Sequence, residues 1–263
     1  MKTLGTTALI ASFLLAAGLA TGCADGLDDG LDDGLDTGTT QSEVANRPRF
    51  DLWKTGSQFY FHLQASNGEI ILASEGYSNR TGALNGILSV LDNGGIASRY
   101  DVKDASNGGA YFNLLAANKQ VIGTSEVYAS TSNAKAGVDA CVRNVAAYLE
   151  AWDTATGARF DVFEGRDGRF YFNLHAGNGE IVLHSQGYDT EASALNGAFS
   201  VSDNGVTKTN YDIKAASGGG YYFNLKSAAN GQVIGTSEVY STKSNATRGR
   251  DAIVALLPSV ELL

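Results

Sequence analysis

A chain of 263 residues that is 43% hydrophobic and 18% charged can bury a core, which excludes a wholly disordered protein. Its formal charge of -9 excludes the basic footprint of a nucleic-acid binder. With 32 glycines and only 2 prolines, the composition suits tight hairpins.

The first stretch reads as an address. Lys2 opens it, and Ala8 to Leu19 form an apolar run too short to span a membrane comfortably. Leu19-Ala20-Thr21-Gly22-Cys23 then resembles a bacterial lipobox, with Ala20 where Leu is commoner. The resemblance implies that residues 1–22 are a signal peptide and that Cys23 becomes acylated. An ordinary secretory signal with an incidental cysteine is the alternative. Each buried methylene contributes about 0.8 kcal/mol, so several acyl chains on one cysteine would make the membrane a stable partner. Ala24 follows Cys23 where Asp would signal retention, which resembles an outer-membrane destination in a cell envelope with two membranes.

Residues 23–46 read as an acidic tether. Gly26-Leu27-Asp28-Asp29 is followed by an identical copy at 30–33 and by the variant Gly34-Leu35-Asp36-Thr37, and the stretch holds six Asp and one Glu. Like charges and scarce apolar side chains keep such a segment extended and solvated. An EF-hand loop needs Gly at its sixth position and Glu at its twelfth; that spacing is absent here.

From Arg49 onward one pattern occurs four times. Each copy opens with an aromatic-Asp-aliphatic strand: Phe50-Asp51-Leu52, Tyr100-Asp101-Val102, Phe160-Asp161-Val162 and Tyr211-Asp212-Ile213. An aromatic hairpin follows, clearest in YFNLLAANKQVIGTSEVY (Tyr111 to Tyr128). A two-residue turn at Asn67-Gly68 pairs Leu63 with Leu72, Phe61 with Ser74 and Tyr60 with Glu75. By the same count Tyr111 faces Glu126, and Tyr171 faces Gln186. A three-residue loop, Ala229-Asn230-Gly231, with Gly231 left-handed, sets Tyr222 against Glu238. A helix follows each hairpin, marked first by Leu84, Ile87, Leu88 and Leu91, with Ser132, Ser193 and Ser244 as N-cap candidates in the later copies. Cys141 falls in the second helix beside Val138, Val142 and Val145 and reads as a small buried apolar residue. With Cys23 acylated, no intramolecular disulfide remains.

The expected fold is α+β: tandem β-β-β-α repeats in two modules, each an antiparallel sheet with helices on one face. The first and third copies share ALNG; the second and fourth share VIGTSEVY. This A-B-A-B order points to two modules, 47–150 and 159–263, joined by a linker at 151–158. The order F-x-N-L-x-A-x-N-G-[EQ]-[IV]-[IVL], then S-E-x-Y and a helix, resembles the YegP-like family of small bacterial domains of unknown function. The resemblance implies that paired repeats share one sheet by exchanging terminal strands.

No catalytic set stands out: H-E-x-x-H, G-x-S-x-G and C-x-x-C are all missing. His175 and His184 share a face in the third copy, but no third ligand accompanies them, so no metal or cofactor is expected. The repeated chemistry lies on the face that helices leave open: Tyr60, Glu75, Tyr111, Glu126, Tyr171, Gln186, Tyr222 and Glu238. Such a face suits contacts with a protein or a polysaccharide of the envelope. It also satisfies plain cross-strand pairing on a half-wet sheet. The reading is therefore a membrane-tethered, non-enzymatic binding or structural module. An envelope hydrolase with a dispersed carboxylate site, or a self-associating stress or structural protein, is the alternative.

Overall fold

The computed structural model describes residues 47–260 and 262. The leader, Cys23 and the acidic tether lie outside the described residues.

The first repeat comprises β1 (Arg49–Thr55), β2 (Gln58–Gln64), β3 (Ile70–Ala73) and helix α1 (Arg80–Gly94). The second comprises β4 (Tyr100–Asp104), β5 (Ala110–Leu115), β6 (Val121–Thr124) and α2 (Thr131–Asp153). The third has β7 (Arg159–Glu164), β8 (Phe170–His175), β9 (Ile181–His184) and α3 (Glu191–Gly205). The fourth has β10 (Tyr211–Ala215), β11 (Tyr221–Lys226), β12 (Val233–Thr236) and α4 (Lys243–Leu256). Each pair of repeats forms one six-stranded antiparallel sheet, in the orders β1-β2-β3-β6-β5-β4 and β10-β11-β12-β9-β8-β7. Each β-β-β-α unit keeps its own three strands, so the expected exchange of terminal strands does not occur between units cut this way. The units join edge to edge through β3 and β6, and through β9 and β12. α2 runs to Asp153, three residues into the stretch read as a linker, because its last turns carry Tyr148 onto Phe50 (ring centroids 5.1 Å apart).

The hairpin register matches expectation as far as Ser74, by a different route. Gly68 N–H donates to Ala65 O and Ala65 N–H to Glu69 O, so the loop is Ser66-Asn67-Gly68, with Gly68 left-handed (φ 83°). A bulge then restores the pairing of Leu63 with Leu72. A three-residue loop plus one bulge gives the same register as a two-residue turn. In the fourth repeat Ser227 pairs with Gln232, so the loop is Ala228 to Gly231, one residue longer than expected, and Gly231 is left-handed (φ 71°).

The helices start earlier than the sequence suggested. The N-caps are Asn79, Ser130, Thr190 and Thr242, each two residues after the motif tyrosine. Their side chains accept the N–H of Gly82, Asn133, Ser193 and Asn245. Ser132, Ser193 and Ser244 thus sit inside the first turn, not at the cap.

Most of Ser-Glu-x-Tyr is fold. Ser125 Oγ accepts Phe112 N–H (2.9 Å) and donates to Glu126 O (2.7 Å); Ser74, Ser185 and Ser237 likewise accept the N–H opposite. Tyr77, Tyr128, Tyr188 and Tyr240 stack on Phe61, Phe112, Phe172 and Phe223. Each tyrosine reaches a helix glycine nine residues on. A Cβ at Gly86, Gly137, Gly197 or Gly249 would lie 2.3–2.5 Å from its hydroxyl oxygen. Glycine is required there by close approach, not by a left-handed backbone.

The core face explains why A pairs with B. Leu72 and Gly123 occupy equivalent positions on β3 and β6 and meet where the two repeats join. A Cβ on Gly123 would lie 2.5 Å from Leu72 Cγ, and one on Gly235 2.3 Å from Leu183 Cδ2. Two A repeats would set leucine against leucine, and two B repeats would leave a void. Leu-over-Gly fills the space once, contributing roughly 1.5–3 kcal/mol per buried leucine. Cys141 is fully buried in this layer, as expected, and burial pushes its thiol up to about 11.

The modules meet through α1 and α3, whose residues share one core with β1 and β2. Arg80 bonds Asp203 across this seam (3.0 Å). Among the described residues, the opposite face of each sheet carries no helix.

Candidate functional site

Strand alternation and register draw one continuous line across each helix-free face. In the first module it runs Asp51, His62, Ala73, Thr124, Asn113, Asp101. In the second it runs Asp161, Asn173, His184, Thr236, Asn224, Asp212. Thr124 and Thr236 hydroxyls donate to Asn113 and Asn224 (3.0 Å each), and both asparagines are buried although they lie on the open face. The outer aspartates are tied down by neighbours. Gln64 donates to Asp51, and Lys226 to Asp212 (3.1 Å), holding the Asp212 carboxyl below the usual range. The Asp161 carboxyl is held below the usual range chiefly by the His175 imidazole 3.8 Å away.

The aromatic row lies beside this line and differs between A and B repeats. Tyr60 stacks on Trp53 (centroids 5.9 Å, 21°), and Tyr171 on Phe163 (5.8 Å, 22°). Tyr111 and Tyr222 face Lys103 and Lys214 instead. The one-to-one Tyr–Glu pairing is replaced by a bulge. Phe61 pairs with Ser74 but Phe59 with Tyr77, so Glu75 and Gly76 together face Tyr60. The same slip occurs at Glu126, Gln186 and Glu238, all of which are exposed. Tyr60 and Tyr171 hydroxyls donate to Gln58 and Asp167 (2.8 Å each), not to the bulge residues. Nothing in the local spacing marked that slip, because it is forced by the tyrosine that must reach its helix glycine.

His62 lies against Trp53 (4.3 Å between ring centroids), and burial lowers its pKa against the opposing pull of Asp51. His184 faces Asn173 as expected. His175 is buried, with Nδ1 at 3.0 Å from Gly179 O and Nε2 at 3.8 Å from Asp161. Among the described residues no group of three or more His, Cys, Asp or Glu is placed to hold a metal ion. The carboxylates with raised pKa, Asp92 and Glu191, lie at the seam and not on the open faces; burial is the main cause for both.

A family model described as "Domain of unknown function (DUF1508)" matches four times, over residues 55–101, 105–148, 166–212 and 216–256. The chain belongs to the DUF1508 family. Relatives of this DUF1508 chain include the UPF0339 protein PA0329 of Pseudomonas aeruginosa, 41% identical over 40% of this chain and 94% of that protein. The UPF0339 protein YegP of Escherichia coli K12 is 49% identical over 34% of this chain and 82% of its own length. Solution NMR structures of UPF0339 protein SO3888 from Shewanella oneidensis and of E. coli yegP are 45% and 38% identical. They cover 37% and 41% of this chain and 84% and 94% of theirs, with TM-scores of 0.36 and 0.37. The first and third DUF1508 matches end just inside β4 and β10. Cut at those limits, the first and third units each send the strand after their helix, β4 or β10, onto the strands of the next repeat, so whether a strand is exchanged depends on where the unit is cut.

Proposed function

We propose that this DUF1508 chain is a lipid-anchored protein of the bacterial cell envelope, held at the outer membrane through Cys23. Its two helix-free sheet faces bind an envelope protein or polysaccharide without catalysis. The anchor reading rests on Leu19 to Cys23, and the acidic stretch to residue 46 would hold the modules off the bilayer. One observation supports binding above all: Asn113 and Asn224 are buried and ordered by threonine on a face that no helix among the described residues covers. Buried, oriented amides in the B repeats, on the same face as the stacked rings of the A repeats, are more structure than a solvated sheet face needs, and they suit recognition of a polar ligand with apolar patches.

Capture from envelope extracts tests the face. A chain with Tyr60, Tyr111, Tyr171 and Tyr222 all changed to Ala should lose the partner that the wild type retains. Equal capture by a folded mutant would sink the proposal. For the anchor, Cys23→Ala should move the protein from the membrane fraction to the soluble one, and retention in membranes would count against acylation.

A further inference from the structure

β4 closes the first sheet at the opposite end from β1, which shares the seam core, and no strand among the described residues pairs with its far edge. Its inner edge pairs with β5 from Tyr100–Leu114 to Asp104–Ala110. Ala105 N–H donates to Gly109 O (2.7 Å), which sets the phase of the ladder. Backbone groups alternate in direction along an antiparallel strand, so Asp101 and Lys103 bond inward to β5 while Tyr100, Val102 and Asp104 point theirs outward. Tyr100 N–H is taken by Ala97 O. The N–H groups of Val102 and Asp104 and the carbonyls of Tyr100 and Val102 have no backbone partner among the described residues.

A bare edge invites pairing, and proteins commonly block it with charge. On β4 the charges select a register instead. Asp101 and Lys103 stand on the open face, each about half exposed, with their charged groups 3.5 Å apart. When a second β4 lies antiparallel with Val102 opposite Val102, Asp101 of each strand faces Lys103 of the other. A slip of two residues sets Asp101 against Asp101, or Lys103 against Lys103, and like charges directly opposite are destabilising. The register that matches charge also makes Val102 and Val102 a hydrogen-bonded pair. Four N–H···O bonds then form: two between the valines, and one from each Asp104 N–H to the other strand's Tyr100 O. The matching strand β10 is less suited, because Asp212 is already held by Lys226 (3.1 Å) and Lys214 (3.6 Å), whereas Leu115 stands where Lys226 does.

We propose that a second copy of this chain pairs on β4, joining two six-stranded first modules into one antiparallel sheet with a continuous open face. The contact is short, so its dissociation constant in solution is roughly 0.1 mM. Two chains confined to one membrane surface meet at a higher effective concentration. The β4 edge is separate from whatever the open faces bind.

Sedimentation equilibrium on the full chain carrying Cys23→Ala, which keeps an acyl anchor out of the measurement, should show reversible dimers between about 10 and 500 μM. Asp101→Lys and Lys103→Asp should each weaken the dimer by about tenfold, because two exposed attractions become two repulsions. These changes move the net charge in opposite directions, so a general charge effect would weaken one variant and strengthen the other. An equal mixture of the two variants should dimerise again, since each altered edge meets its complement. Val102→Pro removes only an outward N–H at an edge position that tolerates proline, and should abolish the dimer, while Ile213→Pro on β10 should leave it intact. The proposal is overturned by a wild-type chain that stays monomeric across that range, by a mixture no tighter than its components, or by a dimer that survives Val102→Pro in a folded chain.

Discussion

Gly123→Ala isolates the contact that pairs unlike repeats. Gly123 lies in a strand without a left-handed backbone, so alanine is allowed there by conformation and favoured by entropy. The new methyl would instead sit 2.5 and 2.6 Å from Leu72 Cγ and Cδ2, about 1 Å inside the roughly 3.5–4.0 Å optimum for carbon pairs. Leu72 is fully buried and cannot swing into solvent. Overpacking of this kind costs about 1–3 kcal/mol. Leu72→Ala alone should cost about 2–5 kcal/mol through the cavity it leaves. The double variant should cost less than the sum by about 1–3 kcal/mol, because each change relieves the other. Urea unfolding followed by circular dichroism, with slope and midpoint fitted separately, gives the four corners of the cycle. A Gly123→Ala midpoint equal to wild type, or strictly additive costs, would refute Leu-over-Gly as the reason A pairs with B.

At the seam, Glu191→Arg should convert the acidic corner that Glu191 forms with Asp92 into a copy of the Arg80–Asp203 corner. Both carboxylates there reach solvent, so the gain at neutral pH should be a few tenths to about 1 kcal/mol and shrink in high salt. Asp92 and Glu191 have folded pKa values above their unfolded ones, so wild-type stability from this pair rises on acidification and is lost as pH climbs through the folded values. Glu191→Arg should abolish the Glu191 share of that pH dependence, and an unchanged pH profile would argue against the corner. Within the motif, Ser237→Ala strands the buried Phe223 N–H and should cost about 1–3 kcal/mol, whereas the exposed Glu238→Ala should stay within about 0.5 kcal/mol by thermal unfolding. Cys141, in a Cys23→Ala chain, should react with a thiol reagent at pH 8 only as the protein unfolds, since burial holds its thiol up at about 11. Rapid labelling of the folded chain would show the helix layer to be open.

Local pattern determined the elements. Period-2 alternation around Phe61 and Leu63, the Asn-Gly turns and the helical spacing of Leu84 and Ile87 each depend on neighbours a few residues away. Four copies repeated each signal, so the strands, the helices and the core face could all be read from the chain. The open-face residues were legible too, because alternation assigns Tyr60 and His62 to one side once Phe61 is buried.

Tertiary structure decided what long-range contact sets. The bulge at Glu75-Gly76 exists because Tyr77 must reach Gly86 on the helix, a demand that local strand pairing does not contain. The caps at Asn79, Ser130, Thr190 and Thr242 follow from where that tyrosine fixes the chain. The Leu72–Gly123 fit joins residues from different repeats. The seam, with Arg80 on Asp203 at one corner and Glu191 near Asp92 at the other, joins residues more than 90 positions apart. Alternation gives the face of a side chain, but only packing between repeats gives its neighbour.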